Sequence, residues 1–152
     1  MEKILTVSIA AYNVQNYIKK TLDSLLVGKI DDLEILVEDD GGTDNTINIV
    51  KEYEKKYPNV VKLIHKENGG YGSTINKSIE IASGRYFKQL DGDDWYDSEN
   101  FTDFLNILRK IDVDAIWVSW PSTMYLPSSS TGRRSAVCST AAATPPGWPP
   151  TC

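Results

Sequence analysis

A chain of 152 residues can bury one sizeable core but not two ordinary ones. Its 21 acidic side chains against 16 basic ones, a net charge of −5, exclude the basic stripe of a nucleic-acid surface, so no nucleic-acid partner is expected. Apolar runs reach only strand length and no leader pattern precedes the first of them, so neither a membrane segment nor a signal peptide is expected. The chain reads as cytoplasmic.

Ile4 to Ala10 is rich in β-branched residues and free of breakers, which predicts a strand. Asn16 to Leu26 places Tyr17, Ile18, Leu22, Leu25 and Leu26 on one helical face, and Gly28 ends it. Leu33 to Val37 is a nearly continuous apolar run, the pattern of a strand covered on both faces. Asp39-Asp40-Gly41-Gly42 then turns tightly, with Thr43 or Asp44 expected to cap a helix that runs through Ile47, Val50, Tyr53 and Tyr57 to Pro58. Val60 to Ile64 predicts a third strand. A glycine-rich loop at 68–72 leads into a helix through Ile75, Ile79 and Ala82, closed by Gly84. Tyr86 to Leu90 is the fourth strand, Ser98 is expected to cap a helix carrying Phe101, Phe104, Leu105 and Leu108, and Val113 to Val118 reads as a fifth strand. Strands alternating with helices of this length predict an α/β fold with a mostly parallel, doubly wound, Rossmann-like sheet.

Two of these strands end in acid. Asp91-Gly92-Asp93-Asp94 follows the fourth, and Glu38-Asp39-Asp40 closes the second. Clustered carboxylates repel one another unless a cation joins them, and oxygen-only ligands at this spacing suit Mg²⁺ or Mn²⁺ bridging to nucleotide phosphates. In open parallel sheets ligands bind beyond the carboxyl ends of the strands, so Ala10 to Asn13, Asp39-Asp40 and Asp91 to Asp94 are expected along one edge. His65, the only histidine, ends a strand and reads as a surface or packing residue.

Four blocks in order, 6–13, 37–44, 68–79 and 90–95, resemble the family 2 glycosyltransferases of GT-A fold, over about Ile4 to Ile116. The resemblance implies a transferase that moves a sugar from a nucleotide-diphosphate donor, UDP-sugar above all, to a glycan, lipid or protein acceptor with inversion. It further implies a nucleotide-sugar site of Ala10, Ala11, Tyr12, Asn13, Asp39, Asp40, Asn76, Asp91 and Gly92. Within it Asp40 meets the base, and Asp91 and Asp93 form the DxD motif for Mn²⁺ or Mg²⁺, with Asp93 the direct ligand. Ala10 replaces a usual Pro, Glu38 a usual apolar residue, and Ile75 an Arg that would contact phosphate. The family's general base lies downstream, whereas no Asp or Glu follows Asp114 here, so this chain is expected to be the donor-binding half and inactive alone. The resemblance also implies a full-length protein peripheral to the inner membrane face, where many relatives work through later segments.

Other classes fit less well. A Mg²⁺-dependent phosphoryl-transfer or phosphatase domain would want a Lys and a Thr or Ser on neighbouring strand ends, and Thr6 is too early in its strand. A non-enzymatic nucleotide- or metal-binding module of the signalling-receiver type would want its acidic pair where Ala10-Ala11 stands. Composition also changes near Trp117. Six of the seven prolines lie from Pro121 onward, with Cys138 and Cys152, and Arg133 and Arg134 are the only charges there. We therefore expect a nucleotide-sugar-binding domain over 1–118. Residues 119–152 are expected to be a low-complexity, disordered tail, read through after loss of the coding frame and without chemistry of its own.

Overall fold

The computed structural model describes residues 2–113, 116–118 and 137–139. The chain divides into two units, Met1–Lys110 and Ile111–Cys152. In the first, the elements in chain order are β1 (Lys3–Ala11), α1 (Ile18–Leu25), β2 (Leu33–Asp40), α2 (Thr46–Lys56), β3 (Val61–Lys66), α3 (Tyr71–Ile81), β4 (Gly84–Asp91) and α4 (Ser98–Leu108). The four strands are parallel in the order β3-β2-β1-β4. This is the expected α/β, GT-A-like sheet. β1 lies at its centre with Ala10 in register with Glu38 on one side and Asp91 on the other.

Side-chain alternation divides the sheet into two unlike faces. Leu5, Val7 and Ile9 of β1 share a face with Leu33, Ile35 and Val37 of β2, all fully buried or nearly so. α2 packs on β2 and β3, α4 on β1, and α1 touches both of these helices. α1 contributes Ile18, Leu22 and Leu25 to this core, and α4 contributes Phe101, Leu105 and Leu108. Fully burying a side chain of this size stabilises by about 1.5–3 kcal/mol, so this layer supplies most of the favourable term.

The other face is polar and is covered by α3, which packs on β1 and β2. Ser8 Oγ donates to Ser78 Oγ of α3 at 2.8 Å, and Ser78 in turn donates to the buried Glu38 carboxyl. Burial pushes the Glu38 carboxyl above its ordinary pKa, against the opposing pull of Ser78. Glu34 is buried on the same face but has ample donors: Thr6 Oγ1, Lys62 Nζ and the Ser83 amide, each at 2.8 Å. Burial alone would raise its pKa, yet these donors outweigh it and bring the carboxyl down to about 2.

Several boundaries differ from the sequence expectation for local reasons. β3 continues two residues past Ile64 because His65 and Lys66 pair with Asp39 and Asp40 of β2. Gly84 opens β4 instead of closing α3, and it lies so close to β1 that a Cβ there would meet the Thr6 amide nitrogen at 2.4 Å. Asp97, not Ser98, caps α4 by accepting from the Asn100 amide at 3.0 Å. α2 begins at Thr46 behind Asn45, while Asp44 Oδ1 accepts from the Thr46 amide at 2.9 Å just ahead of it.

In the second unit β5 (Ile116–Val118) pairs antiparallel with β6 (Val137–Ser139). The strand expected over 113–118 is thus three residues long, and its partner is antiparallel. Apart from β6, the expected tail at 119–152 lies outside the described residues. No helix among the described residues is long and apolar enough to cross a membrane.

Candidate functional site

A cavity of about 460 Å³ opens at the carboxyl ends of β1, β2 and β4. It gathers seven of the sequence-predicted residues: Ala10, Ala11 and Tyr12 from the end of β1, Asp40 from β2, and Asp91, Gly92 and Asp93 from β4. Glycine is required at 92 by close approach. Its amide donates to the Ala10 carbonyl at 2.9 Å, and a Cβ there would lie 2.9 Å from that same oxygen and 3.0 Å from Val14 Cγ2. Thr21 Oγ1 of α1 donates to the Gly92 carbonyl at 3.0 Å, so the peptides on both sides of Gly92 are tied down.

Asp40 forms the base of the wall on the β2 side. Its Oδ1 accepts from the Gly69 amide at 2.9 Å and from Lys66 Nζ, and its Oδ2 accepts from the Gly70 amide at 2.9 Å. Burial pushes its carboxyl up, but Lys66 and the two glycine amides together hold it below the ordinary value. A carboxylate offers about four lone-pair sites. Three are in use among the described residues, which leaves one. Lys66 also donates to Ser73 Oγ of α3 at 2.6 Å, which fastens the glycine loop from its other end.

The β4 side is different in kind. Asp91 accepts from the Tyr71 hydroxyl at 2.9 Å, and the Asp94 amide donates back to the Asp91 carbonyl at 3.0 Å. Asp94 is half-buried, and burial followed by the charges of Asp93 and Asp91 pushes its carboxyl up. The Tyr71 phenol is likewise raised, first by its bond to Asp91. Among the described residues no lysine or arginine pairs with these three carboxylates. Nor do three acidic, histidine or cysteine side chains converge on one point. Such a site does not enclose a cation by itself; it suits a hard ion whose remaining ligands are water and phosphate oxygens.

Three predicted residues do not line the cavity. Asn13, in a left-handed backbone conformation with φ of 55°, turns its Oδ1 to the amides of Thr43 and Asp44 at 2.8 and 3.3 Å. Asp39 is fully buried on the sheet face opposite Asp40, where its Oδ2 accepts from the Gly42 amide at 3.1 Å and lies 2.8 Å from His65 Nδ1. Asn76 is exposed along α3. Sequence reading also passed over six residues, two of which, Asn68 and Gly70, line the cavity from the glycine loop. Tyr71 and Thr74 line the cavity because α3 starts earlier than the glycine run suggests, and Val14 lines it just beyond Asn13. Lys66 stands in register with Asp40, a pairing that the parallel strand ends could have revealed had β3 been extended by one turn of alternation.

The profile of Glycosyl transferase family 2 matches residues 6–137. The chain belongs to this family. As a family 2 member it is 37% identical over 111 residues to an uncharacterized glycosyltransferase of Rickettsia felis, an alignment spanning 72% of this chain and 18% of that protein. It is 36% identical over 96 residues to the chondroitin synthase of Pasteurella multocida, spanning 63% of this chain and 10% of the synthase. Among solved structures, S. aureus TarS 1-349 in complex with UDP-GlcNAc superposes with a TM-score of 0.66 at 27% identity, over 83% of this chain and 37% of that one. A mannosyltransferase from Pyrobaculum calidifontis in complex with GDP-Man and Mn²⁺ shares the fold, with a TM-score of 0.61 at 23% identity over 69% of this chain and 32% of that one. The chain spans between 10% and 33% of the length of curated relatives that it matches.

Proposed function

We propose that the cavity is the donor site of a glycosyltransferase, taking a nucleotide-diphosphate sugar, UDP-sugar in the first instance, together with Mn²⁺ or Mg²⁺. The observation that carries this reading is the convergence of Asp40, Asp91, Asp93 and the Ala10–Tyr12 edge on one cavity in a family 2 chain. The UDP-GlcNAc held by TarS supports a uridine donor.

The residues divide the work by chemistry. The remaining lone pair of Asp40 accepts an imide N–H of the base, and Ala10 to Tyr12 form the wall against which the nucleoside lies. Asp91 turns toward the ribose. Asp93, exposed and flanked by like charge, is the direct ligand of the cation with Asp91 beside it. When bound, that cation offsets the charge gathering on the departing diphosphate. The orphaned charge of the β4 end fits this group: three carboxylates with no cationic side chain among the described residues are disfavoured without it. Asn13 and Asp39 act from behind, fixing the loops that carry Tyr12 and Asp40, and Asn76 is assigned to the donor side only through its place on α3.

Sugar transfer with inversion also needs a base to deprotonate the acceptor hydroxyl. No Asp or Glu follows Asp114, so we assign this chain donor binding and little or no transfer by itself. The acceptor, whether glycan, lipid or protein, belongs to the whole protein. We place that protein in the cytoplasm, peripheral to the inner membrane face. Calorimetric titration with UDP, with and without Mn²⁺, tests the reading. Metal-dependent binding that Asp93→Ala weakens by at least about tenfold supports it, one ion-mediated contact being worth that much. A folded chain that binds no UDP, GDP, dTDP or CDP in Mn²⁺ sinks it.

A further inference from the structure

Tyr71 is the first residue of α3, its ring is more than half exposed, and it lines the cavity between the two acidic strand ends. The residue before it, Gly70, donates its amide to Asp40 Oδ2 at 2.9 Å, and the Tyr71 hydroxyl donates to Asp91 Oδ1 at 2.9 Å. One short stretch of chain thus spans the site from the β2 end to the β4 end. We infer that Tyr71 is a positioning residue for the cation–diphosphate end of this site, acting through Asp91.

The chemistry of the donor matters. Asp91 is exposed and adjoins two further carboxylates, so it has many orientations of similar energy. A lysine at position 71 would fix it but would also neutralise the site and weaken its draw on a divalent ion. A phenol hydroxyl donates one hydrogen bond without adding charge. It holds Oδ1, leaves Oδ2 to turn into the cavity, and keeps the negative field intact. Because Gly70 is anchored to Asp40, the phenol is presented from a fixed base and not from a free loop.

This inference rests on the donor-site reading above, and the experiment separates the two. UDP binding is titrated against Mn²⁺ for the unaltered chain, Tyr71→Phe, Asp91→Ala and the double variant, with thermal unfolding of each. In Tyr71→Phe the Mn²⁺ concentration that half-saturates the UDP complex is expected to rise roughly five- to tenfold, the scale of one ordinary solvent-accessible hydrogen bond. UDP affinity without metal is expected to fall by less than the Mn²⁺-dependent affinity, and the melting temperature stays unchanged, because the lost oxygen is at the surface. The double variant should bind no worse than Asp91→Ala, since both changes remove one interaction. An unchanged or lowered Mn²⁺ midpoint, additive losses, or equal weakening with and without metal overturns the role of Tyr71 while leaving the donor site standing. No Mn²⁺-dependent UDP binding by the unaltered chain overturns both.

Discussion

The two acidic strand ends look alike in sequence and are opposites in the folded chain. At the end of β2, Asp40 is nearly inaccessible and has three donors, one of them cationic, that hold its carboxyl below the ordinary range. At the end of β4, Asp91, Asp93 and Asp94 have one neutral phenol between them as side-chain partner among the described residues, and burial with mutual repulsion pushes Asp94 up. The first carboxylate is already part of the architecture. The second group has no counter-charge among the described residues. A run of aspartates therefore points to a cation only where the fold has not already supplied the counter-charge.

The sharpest way to break this comparison is to remove each carboxylate in metal-free buffer and measure unfolding by denaturant. Asp40→Ala leaves a lysine and two glycine amides without their acceptor and is expected to cost about 3 kcal/mol. Asp93→Ala, by contrast, relieves repulsion and should leave stability unchanged or slightly raised. Equal losses at the two positions would erase the distinction. Next in size, Mn²⁺ with UDP at about a hundred times their dissociation constants should stabilise the chain by about 2.7 kcal/mol, and Asp93→Ala should lose most of that gain.

Acid titration separates the ends by sign. A carboxyl lowered in the folded state, such as Asp40, contributes stability present above its unfolded pKa and lost as pH falls through the folded value. Glu34, down at about 2, behaves in the same way, so metal-free stability should decline between about pH 4.5 and 2. Glu34→Gln should flatten that decline, and a curve unmoved by the substitution would contradict the assignment. Asp94 runs the other way. Its raised pKa means a contribution present below the unfolded value and lost as pH rises through the folded one. Asp94→Asn should thus stabilise the metal-free chain at neutral pH by a few tenths of a kcal/mol, since solvent screens a half-exposed group.

Much of this was legible in the chain. Period-two and period-3.6 patterns placed four strands and four helices, because the core face of each is apolar and its flanks are punctuated by Gly, Pro and Asp. The rule that ligands sit beyond parallel strand ends brought Ala10, Asp40 and Asp91 together before any coordinates. What remained hidden depends on pairing across the sheet. Lys66 looked like the first residue of a loop because nothing in its own neighbourhood shows that Asp40 stands opposite. Gly84 looked like a helix stop because only the nearness of Thr6 explains it as a strand residue. Asp39 and Asp40 were indistinguishable in composition, yet alternation turns one into the core and the other to the cavity.

Glu38 stands where an apolar residue was expected, and its effect reaches beyond stability. A helix laid on an oily surface can slide or roll by an ångström at little cost, because dispersion has no preferred direction. α3 instead rests on the row Ser8, Ser78 and Glu38, whose hydrogen bonds weaken steeply with misalignment. Its seat is indexed, like a key located by notches and not by friction. Since the loop from Gly69 to Tyr71 leads directly into that helix, the spacing between the two strand ends is set from underneath, by groups that never meet a ligand.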